Sequence, residues 1–162
     1  MAQIIKTQSI RTKLGALGEF RNGLNFTRDR KGHGVRLINV KDVFNEGPTI
    51  DFASLDRVDL SDRKDIDKYL VQKNDLFFVR SSVKRDGIGL VSRANKSDNE
   101  TVHCGFIIRY RLTKPDVDPV FLTYLLRSPY YRQSIIGLSG GAAIINISQD
   151  ILSSLSIALP SI

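Results

Sequence analysis

The segment Phe106–Thr113 (FIIRYRLT) sets Phe106, Ile108, Tyr110 and Leu112 on one side of an extended chain and Ile107, Arg109, Arg111 and Thr113 on the other. A period of two does not fit a helix, so the segment predicts a β-strand with one apolar face and one half-exposed face. The pattern then changes. Asp118-Pro119 supplies a helix N-cap followed by proline at the first helical position, and Phe121, Leu122, Leu125 and Leu126 form one apolar face after it. Strands followed by late helices, without regular alternation, indicate an α+β fold rather than a doubly wound parallel sheet.

The other elements read in the same way. Leu76–Val79 is a continuous apolar run bounded by Asn74-Asp75 and Ser81-Ser82, and Val35–Val40 is apolar on both faces. Both predict buried strands. Shorter strands are expected over 17–21, 57–60, 88–92 and 156–159, with a small polar helix over 62–70. Ser128-Pro129 opens a second helix that carries Tyr130, Tyr131, Ile135 and Ile136 and stops at Gly137. A short helical turn follows from Ser148 to Leu152. The expected architecture is a twisted mixed or antiparallel sheet with short helices.

Several classes are excluded by composition. The longest apolar stretches are about six residues, far short of the roughly 20 that span a bilayer. The first residues, MAQIIKTQSIRTK, contain no apolar core of a secretory signal. Cys104 is the sole cysteine, which removes an intramolecular disulfide and a thiolate zinc site. A reducing, cytoplasmic setting is expected.

The charge is informative once divided. The 162 residues hold 24 Lys+Arg and 17 Asp+Glu, a net +7, which favours an anionic partner. Residues 1–50 carry nine basic and four acidic side chains, while residues 51–100 carry ten of each. Within residues 21–41, Arg21, Arg28, Arg30, Lys31, Arg36 and Lys41 face only Asp29 as counter-charge. Arg80, Lys84, Arg85, Arg93 and Lys96 have only Asp86. The run Asp56–Lys68 mixes five acids with four bases and reads as a self-paired, solvated surface.

Two loops stand out. Asn22–Gly34 (NGLNFTRDRKGHG) is too polar for a core and holds three glycines among its cations. Ser139–Ala143 (SGGAA) is made of small residues that let another backbone or a phosphate approach closely.

Catalytic patterns are sparse. Ser128-Pro129-Tyr130-Tyr131 lacks the leading amide or acid and the second proline of an amino-methyltransferase motif, and its helix-start chemistry accounts for it. Neither GxGxxG nor GxxxxGK[ST] occurs. Asp51, Asp62 and Lys64 form a loose version of a metal-dependent nuclease spacing, the enzymatic alternative. A basic protein-interaction module is the third reading. His33 is a candidate contact within the basic loop, and His103 reads as a structural residue beside Cys104. Arginine and lysine neutralise phosphates, and Arg and Asn also read base edges. Arg21, Asn25, Arg28, Arg30 and Lys31 are therefore candidate DNA contacts, together with Arg80, Ser81, Ser82, Lys84 and Arg85. Gly140 and Gly141 are expected to permit close backbone approach.

The ordered series KLGALGEFRNGLNF, INVKDVF, NDLFFVRSSVKRDGIGLVSRAN, FIIRYRL, DPVFLTYLLRSPYYRQSI and SGGAAIINISQDILSSLSIALP resembles the target recognition domain of type I restriction–modification specificity (S) subunits. The likeness runs from about Lys13 to Pro160, with Asn74 standing where such domains more often carry glycine. The resemblance implies a non-catalytic module that reads one half of a bipartite double-stranded DNA target. Methyltransferase (M) subunits using S-adenosylmethionine, and a restriction (R) subunit using ATP and magnesium, would supply the chemistry, so no cofactor is expected on this chain. It also implies an N-terminal extension over 1–12 and one recognition domain over 13–162, without the spacer helix and second recognition domain of a complete subunit.

Overall fold

The computed structural model describes residues 9–141 and 143–160. Residues 1–8 of the expected extension lie outside the described residues, as does Ala142 of the small-residue loop. The first half contains β1 (Ser9–Lys13), β2 (Gly18–Asn22), β3 (Lys31–Ile38), α1 (Val40–Val43), β4 (Asp56–Val58), β5 (Leu76–Val79) and β6 (Ser81–Ser82). After these come β7 (Val91–Arg93), β8 (Thr101–His103), β9 (Ile107–Leu112), α2 (Pro119–Arg127), α3 (Pro129–Leu138), β10 (Ile145–Asn146), α4 (Gln149–Ser154) and β11 (Ser156–Pro160). The fold is α+β with mixed and antiparallel sheets and short helices, as the residue patterns require.

A four-stranded antiparallel sheet, ordered β2-β9-β5-β7, divides the molecule into two cores. Leu76, Phe78, Ile108 and Tyr110 point to one side and pack with Leu122, Leu126, Tyr131, Ile135 and Leu152 of the helices. Phe77, Val79 and Ile107 point to the other side, against Leu37, Ile38, Val58 and Val102. That second layer is the sheet β4-β3-β8, in which β3 runs antiparallel to β4 and parallel to β8. Strand β9 is therefore buried on both faces, in contrast to the half-exposed strand that its alternation predicts. Its polar face is tolerated because both arginines reach acceptors inside, although Arg109 Nε is buried without a partner. Arg109 Nη1 donates to the Lys68 and Leu70 carbonyls, and Arg111 grips the fully buried Asp75 carboxylate at 2.7 Å through both Nε and Nη2. Asn74, in the turn before Asp75, has φ +74°, the left-handed region that glycine or asparagine fills.

The helix starts follow their caps. Asp118 accepts hydrogen bonds from the Val120 and Phe121 amides, and Ser148 from that of Ile151. Ser128 precedes Pro129 but turns its hydroxyl back to the Leu125 carbonyl at 2.7 Å, linking α2 to α3. Helix α3 continues through Gly137 to Leu138. Three further expectations are corrected. The polar helix over 62–70 is a 3-10 turn at Ile66–Tyr69, and Val40 opens α1 rather than ending a strand. The basic loop ends at Lys31, where β3 begins with an irregular register between Lys31 and Val35. Strand β1, whose first residues fall in the expected extension, pairs with β11 from Ser9↔Pro160 to Lys13↔Ser156.

Candidate nucleic-acid interface

The turn Gly105-Phe106, between β8 and β9, joins the two basic segments. Gly105 donates its amide to the Leu24 carbonyl at 2.8 Å, and Leu24 donates to the His103 carbonyl at 2.9 Å. Gly23 donates to the Ile107 carbonyl at 3.0 Å. A side chain at Gly23 would place Cβ 2.0 Å from the Cys104 carbonyl oxygen, so the close passage of these two backbones requires glycine there. From the other side, the Arg80 amide donates to the Phe106 carbonyl at 2.8 Å and its guanidinium reaches the Gly105 carbonyl at 3.2 Å. The Arg80 carbonyl in turn accepts from the Ile147 amide at 3.0 Å. Segments about residues 23, 80 and 147 thus meet at one end of the molecule.

Two concavities open at this end. Asn22, Arg80, Gly140, Gly141, Asn146 and Ser148 line one of about 440 Å³. Strand β6 pairs with β10 here, and the Ser81 hydroxyl donates to Asn146 Oδ1 at 2.5 Å. Gly141 has φ +115°, and a Cβ there would lie 2.1 Å from the Ile144 carbonyl oxygen. A Cβ at Gly140 would meet nothing within 4 Å, so the space before it is open. Asn25, Thr27, Arg30 and Asp62 line the other concavity. Arg80, Ser81, Gly140 and Gly141 are thus gathered with Asn22, and Asn25 is held beside Gly105. Asn146 completes the first concavity without having been expected; a polar residue between buried Ile145 and Ile147 is the signal that points to it.

The cations divide into paired and unpaired. The acidic run 56–68 neutralises the first basic segment across space instead of pairing only with itself. Arg30 binds both oxygens of Asp62, Lys41 lies 2.8 Å from Asp56, and His33 meets Asp59 at 3.3 Å. The Arg30 hydrogen bond holds the Asp62 carboxyl below its usual range, and Asp56 raises the Lys41 ammonium. Only Arg63–Asp65 pairs within the run. Arg36 is tied to Asp98 and lies 3.6 Å from Glu100. Among the described residues, Arg21, Arg28, Lys31, Arg80, Lys84 and Arg85 take part in no ion pair. Arg28, Lys31, Lys84 and Arg85 are exposed, and Arg80 is half-buried in its concavity. Arg21 differs: its guanidinium stacks over the Tyr69 ring at 5.7 Å and its Nε is buried without a partner. Ser82 accepts the Lys84 amide at 3.1 Å, bending the chain that carries Lys84 and Arg85.

Behind the interface, His103 is fully buried between Phe77 and Tyr69, and its Nε2–H donates to the Arg21 carbonyl at 3.3 Å. Burial, with Arg109 nearby, drives its pKa down to about 3. His103 is a neutral structural residue. The nuclease arrangement is not assembled. Asp51 caps its own turn and lines a different concavity from Asp62, which Arg30 occupies. No group of three His, Cys, Asp or Glu side chains comes together among the described residues. No helix among them is long and apolar enough to cross a membrane.

Neither a family model nor a curated protein matches the sequence. Solved structures do. The S subunit of a type I restriction–modification system from M. genitalium matches with a TM-score of 0.62 at 17% identity, over 99% of this chain and 36% of that one. The HsdS subunit from Thermoanaerobacter tengcongensis matches with a TM-score of 0.63 at 16% identity, over 98% and 34%. A chain from a structure concerned with assembly and conformational transition of the type I R-M system matches at 0.63 and 15%, over 98% and 35%. This chain therefore spans about a third of the length of those proteins. Over that third, its fold is the α+β fold of type I S subunits, as the resemblance in the sequence implies.

Proposed function

We propose that the chain is a sequence-specific double-stranded DNA-binding module that reads one half of a bipartite target for a type I restriction–modification complex. The observation that carries this reading is the meeting of two basic segments, through Gly23-Leu24 and Arg80, on the single turn Gly105-Phe106. Exposed cations there would neutralise phosphates. Asn22, Asn25, Arg80 and Asn146 have the donor and acceptor pattern that reads base edges. The fold likeness to S subunits supports the same assignment. On this reading the module is not an enzyme. Methylation and cleavage belong to M and R subunits, which carry S-adenosylmethionine, ATP and magnesium, and the complex works in the cytoplasm.

The test is selection from a random duplex library, followed by titration of the enriched duplex at several salt concentrations. Six engaged cations give a slope of log K against log salt of about -5. No enriched motif and a salt-independent affinity would overturn the proposal. Cleavage of plasmid in magnesium, abolished by Asp62→Ala, would favour the nuclease instead.

A further inference from the structure

The interface end carries an apolar groove that the cations and amides do not explain. Phe44, Val83, Phe106 and Ile144 line it, from four separate segments, and their exposures are 42%, 79%, 61% and 55%. The groove encloses about 480 Å³ and includes Lys84. Single exposed apolar side chains are ordinary, but a contiguous set marks a contact surface. This set is continuous with the proposed interface, because Phe106 accepts the Arg80 amide and Ile144 precedes the strand paired with β6.

We infer that this groove reads the C5-methyl groups of thymines in the major groove, so that A·T pairs at fixed positions form part of the target. The inference rests on the DNA-binding reading above and adds to it a specificity element. Two facts choose this occupant. The groove includes Lys84, which forms no ion pair among the described residues and suits an anionic partner. Along the base edges of duplex DNA, the thymine methyl is the apolar group displayed in the major groove, where the other groups are donors and acceptors. An apolar surface among phosphate-binding cations is complementary to that arrangement.

Replacing thymine by uracil removes the methyl and leaves base pairing intact. Each thymine of the selected duplex is replaced in turn, and affinity is measured by fluorescence anisotropy at low salt. Uracil at a contacted position is expected to weaken binding about three- to fivefold, the size of one buried methyl-sized group. Val83→Asn and Phe106→Ser, both at exposed positions, should bind thymine and uracil duplexes equally while keeping the wild-type urea midpoint. Salt-dependent duplex binding that is indifferent to every uracil replacement overturns this inference and leaves the DNA-binding reading in place. A uracil penalty that persists undiminished in both variants also overturns it, since the methyl would then be read elsewhere. Absence of any duplex binding removes both readings.

Discussion

Arg30 grips both carboxylate oxygens of Asp62, 32 residues further along the chain, at 2.5 and 2.8 Å. The pair lies at the edge of the concavity that also holds Asn25. On the DNA-binding reading proposed above, it cancels a cation that would otherwise be available to a phosphate. Asp62→Asn should release Arg30, raise affinity for random duplex several-fold and steepen the salt slope by about 0.9, the contribution of one further phosphate contact. Anisotropy titrations over a salt series read both quantities. An unchanged slope would mean that Arg30 faces away from the duplex.

Gly140 and Gly141 separate shape from strain. Alanine at 141 must hold φ near +115° with its Cβ against the Ile144 carbonyl, which should cost about 1–3 kcal/mol in urea unfolding. Alanine at 140 meets no protein atom and should leave stability unchanged. Alanine at 140 places a methyl in the concavity and alanine at 141 displaces the loop that lines it, so both should weaken duplex binding. Wild-type affinity in both variants would take the glycine loop out of the interface.

Asp75 and Arg111 form the one ion pair in which a carboxylate is wholly buried among the described residues. Removing one partner strands the other, so Asp75→Ala or Arg111→Ala should destabilise the chain by about 3–5 kcal/mol. The double variant should recover part of the loss. Urea midpoints of the three variants form the cycle that checks it, and additive single losses would show that the pair is not coupled.

Stability should also depend on His103. Its folded pKa, about 3, lies below the unfolded value near 6.5, so the unfolded chain takes up a proton that the folded chain refuses. The contribution is complete above pH 6.5 and is lost as the pH falls from 6.5 towards 3. Between pH 6.5 and 5, above the range where carboxylates titrate, the loss should be about 2 kcal/mol. His103→Gln cannot titrate and keeps a donor for the Arg21 carbonyl, so its unfolding free energy should stay flat across that window. Parallel pH profiles for the two proteins would contradict the assignment.

Much of this architecture is legible in the residues, and what is hidden has identifiable causes. Asp118-Pro119, Ser148 and the run Leu76–Val79 act through local rules, so their elements stand where the sequence puts them. Strand β9 shows the limit of periodicity. Arg109 and Arg111 look like a solvent face, yet carbonyls near residue 70 and the Asp75 carboxylate let both lie under a second core. The basic segments are visible as clusters, but the partners of Arg30, Arg36 and Lys41 sit 15 to 64 residues away, and linear charge counting does not see such pairs. Phe106 continues the alternation of the strand and so reads as core. It belongs to the turn before the strand, and the preceding Gly105 is the only local sign of it.

The bonds that fasten the interface end are mainly backbone to backbone: Gly105 to Leu24, Gly23 to Ile107, Arg80 to Phe106, and Ile147 to Arg80. Fastening of this kind does not depend on which side chains the segments carry, apart from glycine where two chains touch. The outward residues at 25, 28, 83, 84 and 106 can therefore be exchanged without unfastening the frame. If the chain reads DNA as proposed, reading and folding are written in separate letters of the same segments, and a new target could be acquired by substitution alone.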